Sequence, residues 1–267
     1  MNKKAIGFLD SGVGGLTVVK QAMKQLPNES IYYIGDSARC PYGPRPPEEI
    51  RRFTWELTQF LLKKDIKMLV IACNTATAVA LEEIRDQIDI PVIGVIMPGS
   101  RAAIKYSTNH RIGVIGTKGT IDSKLYEKTL KEKDTSIETF GLSCPKFVPL
   151  VESNQIQSSI AKKVVSESLQ PLKNLHLDTL ILGCTHYPLL RSLIQNIMGP
   201  TVTLIDSGAE TVSEVSTLLD SYKFAVHSNP ENKVERHFYT TGSPLLFREI
   251  AENWLENKDF TVEKVVL

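Results

Sequence analysis

Short hydrophobic runs alternate with longer amphipathic stretches along this chain. The apolar runs, each bounded by glycine, proline or polar residues, are residues 6–9, 31–34, 68–72 and 92–96. Runs of this length predict buried strands, whereas the stretches between them carry a helical period. The helices predicted from that period are residues 16–26, 48–63 and 76–85. Because strands that alternate with helices form right-handed βαβ units, the pattern predicts an α/β fold with parallel sheets.

The same order of features begins again near residue 112. Ile112-Gly113 opens an apolar run that ends in a loop of glycine and threonine, as Ile6-Gly7 opens the run before Asp10-Ser11-Gly12. In each half a cysteine loop follows the glycine loop at nearly the same interval. The repeat predicts two similar parallel-sheet α/β lobes related by a pseudo-two-fold, with the active site in the cleft between them.

The C-terminal tail decides where the lobes are divided. Its predicted elements are a helix at 209–221, a polar loop at 227–232, a strand at 237–240, a helix at 244–256 and a short final strand. This tail is too small to fold alone. We therefore expect residues 1–97 plus 210–267 to form the first lobe and residues 98–209 to form the second.

Two cysteines occupy matching positions in the repeat. Cys73 follows the apolar run 68–72, Cys184 follows Ile181-Leu182-Gly183, and polar residues come after each. The carboxyl ends of parallel strands are where α/β sheets bind ligands. A helix that begins there lowers the pKa of a nearby thiol, and its N–H groups attract a carboxylate. Thr75 and Thr185 are the expected capping residues.

Two opposed thiols suit a reaction at a carbon atom held between them. One thiolate removes a proton from one face as general base, and the other thiol returns a proton to the opposite face as general acid. The alternative for any free cysteine is that it is a small buried hydrophobe, and we expect this for Cys40 and Cys144. The four cysteines show no zinc-site spacing, so no metal site is predicted.

The composition and charge of the chain argue against nucleic-acid binding and membrane association. The 267 residues include 31 basic and 30 acidic side chains, for a formal charge of +1. No basic stripe that would bind nucleic acid stands out. No apolar segment has the length of a signal peptide or a membrane span. We therefore expect a cytoplasmic protein with free thiols and with no nucleic-acid or membrane partner.

The glycine-rich loop Gly12-Val13-Gly14-Gly15 raises the question of nucleotide binding. Its glycines do not fit the dinucleotide fingerprint G-x-G-x-x-G, and no Walker lysine follows. A non-catalytic two-lobe ligand-binding protein is a further alternative. Paired thiols would be an unusual choice for such a protein, so the sequence favours an enzyme.

Four motifs occur in order between residues 10 and 188: Asp10-Ser11-Gly12-Val13-Gly14-Gly15-Leu16, Pro41-Tyr42-Gly43, Ala72-Cys73-Asn74-Thr75-Ala76 and Leu182-Gly183-Cys184-Thr185-His186-Tyr187-Pro188. Together they closely resemble the signatures of the bacterial glutamate racemases, of the aspartate/glutamate racemase superfamily. The resemblance implies a homodimeric racemase that needs no cofactor, interconverts L- and D-glutamate and supplies D-glutamate for peptidoglycan. Another acidic amino acid, such as aspartate, is the alternative substrate.

The resemblance also implies roles for individual residues. Cys73 corresponds to the base for the D-enantiomer and Cys184 to the base for the L-enantiomer. The positions that match substrate-contacting residues are Asp10, Ser11, Tyr42, Gly43, Asn74, Thr75, Thr185 and His186. Those that match residues assisting the cysteines are Asp10, Asp36, Glu152 and His186. Structural alternatives are an Asx turn at Asp10 and a solvated helix start at Glu152.

Overall fold

A computed structural model describes residues 4–153, 155–226 and 233–267. The chain divides into two compact units, one formed by Met1–Val95 with Gly208–Leu267 and the other by Ile96–Ser207. Each boundary lies two residues before the boundary expected from the sequence, because helices begin at Ile96 and Ser207. The polar loop predicted at 227–232 lies outside the described residues.

The first unit is a six-stranded sheet in which every pairing is parallel, with strand order β10-β9-β2-β1-β3-β4. The strands are β1 (Ile6–Asp10), β2 (Ile31–Gly35), β3 (Met68–Ile71), β4 (Val92–Gly94), β9 (Arg236–Thr240) and β10 (Thr261–Lys264). The tail therefore adds two strands beside β2. The predicted strand at 92–96 is shorter than expected, since Ile96 already belongs to a helix.

Helices cover both faces of this sheet. They are α1 (Leu16–Gln25), α2 (Pro47–Leu62), α3 (Asn74–Gln87), α10 (Ser207–Ser221) and α11 (Pro244–Leu255). Ile6 and Phe8 pack in one apolar cluster with α1, α10 and α11, whereas Leu9 packs in another with α2 and α3. Because both faces of the sheet are buried, the strands are continuous apolar runs and do not alternate between apolar and polar residues.

The second unit is a four-stranded parallel sheet of order β6-β5-β7-β8. Its strands are β5 (Arg111–Gly116), β6 (Glu138–Ser143), β7 (Thr179–Gly183) and β8 (Thr203–Asp206). Its α-helices are α4 (Ile96–Tyr106), α5 (Lys118–Asp122), α6 (Leu125–Lys133), α7 (Phe147–Glu152), α8 (Ser159–Leu169) and α9 (Arg191–Met198). The order repeats that of β2-β1-β3-β4, which confirms that the two halves share one α/β plan.

Within the described residues, no helix combines the length and the apolar character that crossing a membrane requires.

Candidate active site

In the first unit, the expected site residues follow three neighbouring strands. Asp10 ends β1, Asp36 follows β2, and Cys73 comes two residues after β3. Since β1 lies between β2 and β3 and all three are parallel, these side chains share the carboxyl edge of the sheet. The exposed fraction is zero for Asp10 and Asp36 and 6% for Cys73.

Cys73 itself caps helix α3. Its Sγ accepts a hydrogen bond from the Ala76 N–H at 3.4 Å and lies 3.6 Å from Ser11 Oγ. Thr75 lies inside the first turn, so the prediction that Thr75 is the cap is wrong. The buried side chains of Asn74 and Thr75 stand in that same turn. The helix N-terminus therefore points its N–H groups at the thiol directly.

The pKa of the Cys73 thiol is raised to about 11, against the lowering that the helix start predicts. Burial is the largest cause, and the negative charge of Asp10 adds to it. Hydrogen bonds from Ala76, Ser11 and Thr75 oppose the increase without cancelling it. Desolvation outweighs the helix terminus because the sulfur has almost no contact with water. Cys73 is therefore a protonated thiol at neutral pH.

The Asp10 carboxylate is held in place by a tight turn. Its Oδ2 accepts the Gly12 N–H at 3.0 Å, which is the Asx turn considered from the sequence. Tyr33 donates to the Gly12 carbonyl oxygen at 2.7 Å. A Cβ at Gly35 would lie 2.1 Å from that same oxygen, so the close approach of the two loops requires glycine there. The turn fixes the carboxylate beside Cys73.

Asp36 is surrounded by hydrogen-bond donors from its own loop and from the end of β9. Tyr42 donates to its Oδ2 at 2.5 Å, and the Nε of Arg39 donates to the same oxygen at 2.7 Å. Thr241 donates to Oδ1 at 2.7 Å. Burial, and then the charge of Asp36, raise the pKa of Tyr42. Tyr42 and Gly43 are buried, and Tyr42 packs in the same apolar cluster as Cys73.

In the second unit, Cys184 follows β7 at the carboxyl edge of the sheet, and 6% of it is exposed. His186 Nδ1 lies 3.9 Å from the sulfur, and His186 Nε2 lies 3.0 Å from Glu152 Oε1. Glu152 ends helix α7, and 38% of its side chain is exposed. The imidazole of His186 therefore contacts the thiol on one side and the Glu152 carboxylate on the other. Glu152 is thus a partner of His186 and not a solvated helix start.

No α-helix begins at Cys184, so the expected cap at Thr185 is wrong. The chain instead forms a 3₁₀ turn at Tyr187–Leu190, and α9 begins at Arg191. An α-helical bond to the Cys184 carbonyl would come from residue 188, which is proline and has no N–H. Tyr187 N–H donates to that carbonyl at 3.0 Å in its place. Thr185 is buried beside the cysteine.

The other two cysteines differ from this pair. Cys144 follows β6, and burial raises the pKa of its thiol to about 12. Cys40 is half-buried in the loop after β2. Neither cysteine forms a disulfide bond within the described part of the chain. Among the described residues, no group of three or more His, Cys, Asp or Glu side chains is arranged to hold a metal ion.

Sequence reasoning missed three polar side chains near these sites. Thr117 and Thr120 follow β5, the neighbour of β7, and their hydroxyl oxygens lie 3.1 Å apart. The repeat contained the signal for Thr117, since it occupies the position that Ser11 has in the first half. Arg39 belongs to no motif, and only its contact with Asp36 identifies it.

Comparison with known proteins shows the family of this chain. Residues 16–215 match the family described as Asp/Glu/Hydantoin racemase. The glutamate racemase of Carnobacterium sp. (strain St2) is 67% identical over 267 residues, covering all of both chains. A glutamate racemase isoform from Bacillus anthracis has a crystal structure with 46% identity and a TM-score of 0.96, covering 100% of this chain and 99% of that one.

A second solved structure, glutamate racemase from Francisella tularensis in complex with D-glutamate, is 35% identical with a TM-score of 0.91. The match covers 100% of this chain and 98% of that one. Both the sequence relatives and the structures span the full length of the chain. This chain therefore belongs to the glutamate racemase family and is an enzyme of the Asp/Glu racemase type.

Proposed function

We propose that this enzyme interconverts L-glutamate and D-glutamate without a cofactor and supplies D-glutamate for peptidoglycan synthesis. One observation carries the proposal. Each of the two sheets places a buried cysteine after the strand that neighbours its first strand, β3 beside β1 and β7 beside β5. Each cysteine has its own polar partners, Ser11 and Asp10 for Cys73 and His186 for Cys184.

The reaction we propose uses the two thiols on opposite faces of one α-carbon. With D-glutamate, the Cys73 thiolate takes the α-proton: the C–H bond breaks, an S–H bond forms, and the electron pair stays on carbon. The Cys184 thiol then gives its proton to the other face and becomes the thiolate. With L-glutamate the two cysteines exchange roles.

The Cys73 thiol has a pKa of about 11 and must lose its proton before it can act as a base. Glutamate carries an α-ammonium group, and Asp10 is the buried anion beside Cys73. An ammonium bound at Asp10 would offset the charge that raises the thiol pKa, because an opposite charge within a few ångströms favours the ionised form. The substrate itself would thus help to activate Cys73.

At Cys184, the imidazole of His186 supplies the equivalent help. Its Nδ1 faces the sulfur, and Glu152 holds Nε2. A carboxylate bonded to Nε2 makes Nδ1 the better proton acceptor, since it stabilises the imidazolium that forms. His186 can therefore take the thiol proton when Cys184 acts as base.

The substrate carboxylates would be bound by groups that precede or follow these cysteines. Helix α3 begins at Asn74, and N–H groups at a helix N-terminus attract carboxylates. Asn74, Thr75 and Thr185 add buried polar side chains, and Thr117 and Thr120 add hydroxyls at the end of β5. The D-glutamate complex of the Francisella tularensis relative supports glutamate as the amino acid bound here.

We also propose that the enzyme is a cytoplasmic homodimer, which rests on its resemblance to the family. Sedimentation of the purified chain tests the assembly: a dimer is expected, and a monomer at micromolar concentration would contradict it.

A racemisation assay tests the main proposal. L-Glutamate and L-aspartate are each incubated with the purified enzyme, without added cofactor and with a metal chelator present. Polarimetry should show L-glutamate losing its rotation completely while L-aspartate changes far more slowly. Deuterium from the solvent should enter the α-carbon of the product. No loss of rotation with L-glutamate would contradict the proposal, and faster turnover of L-aspartate would change its substrate.

A further inference from the structure

Arg39 lies in a side-chain network behind Tyr42 that the two-base reaction leaves unexplained. Its Nε donates to Asp36 at 2.7 Å, and its Nη1 donates to Glu56. The guanidinium also stacks on Phe53, with 4.0 Å between Cζ and the ring centroid. Phe53 contacts the ring of Tyr42, whose centroid lies 5.7 Å away. Tyr42 donates to Asp36, so the four side chains form a closed cycle.

The buried carboxylate of Asp36 requires an opposite charge nearby. Asp36 has no exposed surface, and a buried carboxylate stays ionised only where opposite charge and hydrogen bonds offset its desolvation. Tyr42 and Thr241 supply neutral donors. Among the residues that the structure describes, Arg39 is the one cation in direct contact with Asp36. Without Arg39, the buried carboxylate would lose this ionic partner.

Other groups near the cycle do not replace that charge. Glu56 of α2 is an anion that pairs with Arg39. Asp10 contributes its main-chain carbonyl, which accepts the Asp36 N–H at 3.1 Å. Cys73, at the start of α3, is close enough to interact electrostatically with Tyr42. A change of charge at Asp36 therefore alters the electrostatic potential near Tyr42 and Cys73.

The ionised carboxylate determines what Tyr42 can do. A tyrosine has one hydroxyl proton, and its donation to Asp36 leaves the oxygen only as an acceptor. If Asp36 were displaced, the hydroxyl of Tyr42 would lose its acceptor and would be able to turn. Arg39 also holds the loop itself, since its carbonyl oxygen accepts from Arg45 Nε at 2.9 Å.

We infer that Arg39 is a positioning residue for the Cys73 half of the reaction: its ion pair holds Asp36 in place, and Asp36 holds Tyr42 and its loop against the thiol. This inference rests on the proposed two-cysteine racemase function. It assigns Asp36 to the support of Tyr42 and leaves proton transfer to other groups. All three side-chain bonds to Asp36 are already formed within the protein.

The experiment compares Arg39→Met with a matched control, Arg52→Met. Arg52 also stacks on Phe53, at 5.1 Å, and pairs with Glu56 at 3.9 Å, but it does not contact Asp36. The assay follows chloride elimination from D- and L-analogues that carry chlorine on the β-carbon. Each elimination needs α-proton removal by only one cysteine, Cys73 for the D-analogue and Cys184 for the L-analogue.

We expect Arg39→Met to slow elimination from the D-analogue about tenfold at neutral pH, as a displaced catalytic group does. The L-analogue should keep its wild-type rate. Arg39→Lys should restore most of the wild-type rate with the D-analogue, since it keeps the charge that pairs with Asp36. Arg52→Met should behave as the wild type does.

A double-mutant cycle isolates the link to Asp36. In an Asp36→Asn background there is no charge for Arg39 to hold, so Arg39→Met should cause little further loss. If Arg39→Met does not fold by circular dichroism, Arg39→Gln is used in the same assays.

Equal losses with both analogues, no rescue by Arg39→Lys or full additivity with Asp36→Asn would each overturn the inference. These outcomes leave the proposed function standing as long as the wild type racemises glutamate. An inactive wild type would instead remove the proposed function itself.

Discussion

His186 Nε2 lies 3.0 Å from Glu152 Oε1, within hydrogen-bond distance. An ionised carboxylate only accepts hydrogen bonds, so this contact assigns the ring proton to Nε2. Nδ1 is then left as an acceptor, 3.9 Å from Cys184 Sγ. The arrangement places a proton acceptor beside the thiol of the second unit, whereas the first unit has a buried anion, Asp10, beside Cys73.

The effect of these different surroundings on Cys73 and Cys184 has to be measured in reactions that use only one of the two cysteines. Enantiomers have equal free energies in water, so kcat/KM for racemisation must be the same in both directions. Elimination from a β-chloro analogue avoids that constraint. One cysteine takes the α-proton, chloride leaves with the C–Cl electron pair, and the resulting enamine hydrolyses to a 2-oxo acid and ammonium.

Glu152→Gln should slow the Cys184 half-reaction about tenfold, because a neutral amide stabilises the imidazolium less than a carboxylate does. His186→Asn should have a larger effect, of about a hundredfold, since it removes the proton acceptor itself. Chloride release from the L-analogue measures both. The D-analogue is the internal control and should be processed at the wild-type rate. Equal losses with both enantiomers would show that the pair supports the fold instead of the base.

Replacing either cysteine by serine should nearly abolish racemisation, with losses of about a thousandfold or more, because a full turnover needs both a base and an acid. Serine keeps the shape, but its hydroxyl ionises far less readily than a thiol. Cys73→Ser should still eliminate chloride from the L-analogue, and Cys184→Ser from the D-analogue. Full racemase activity in either single variant would exclude the two-base mechanism.

Asp10→Asn should make Cys73 a stronger acid and the enzyme a poorer racemase. Removing the carboxylate removes a cause of the raised pKa of about 11, so the thiolate should form at a lower pH. Catalysis should nevertheless fall, since the substrate ammonium loses its partner. Alkylation of Cys73 against pH, read by mass spectrometry, measures the first effect. If alkylation kept the wild-type pH profile, Asp10 would not control the thiol.

Alkaline pH should destabilise the protein through its buried thiols. The pKa of Cys144 is raised by burial to about 12, from an unfolded value near 9. Between these values the unfolded chain loses the proton and the folded one keeps it, so the free energy of unfolding falls as the pH rises. The fall from one group is at most about 1.4 kcal/mol per pH unit.

Cys144→Ala should therefore flatten the decline in stability above about pH 9. Urea unfolding at several pH values, read by circular dichroism, measures the slope. Cys40→Ala is the matched control, since Cys40 is only half-buried. A slope unchanged by Cys144→Ala would mean that other groups, such as the buried tyrosines, cause the decline.

The sequence alone determined the strand-and-helix order, the internal repeat and the position of both cysteines at strand ends. These features follow from local patterns: β3 and β7 are continuous apolar runs because both of their faces are buried. The family resemblance was equally local, since each motif occupies a single loop. Even a wrong detail, the helix expected at Cys184, had a local cause in Pro188, which cannot donate the bond that the helix needs.

Only the tertiary structure decided the chemical state of the site. The raised pKa of Cys73 depends on burial and on Asp10, which reaches it from a different strand. Asp36 receives its hydrogen bonds from its own loop and from Thr241, which is far along the chain, directly after strand β9 of the tail. Such contacts leave no periodic trace in the sequence, because they join residues that only folding brings together. Desolvation likewise exists only once the core has closed around a group.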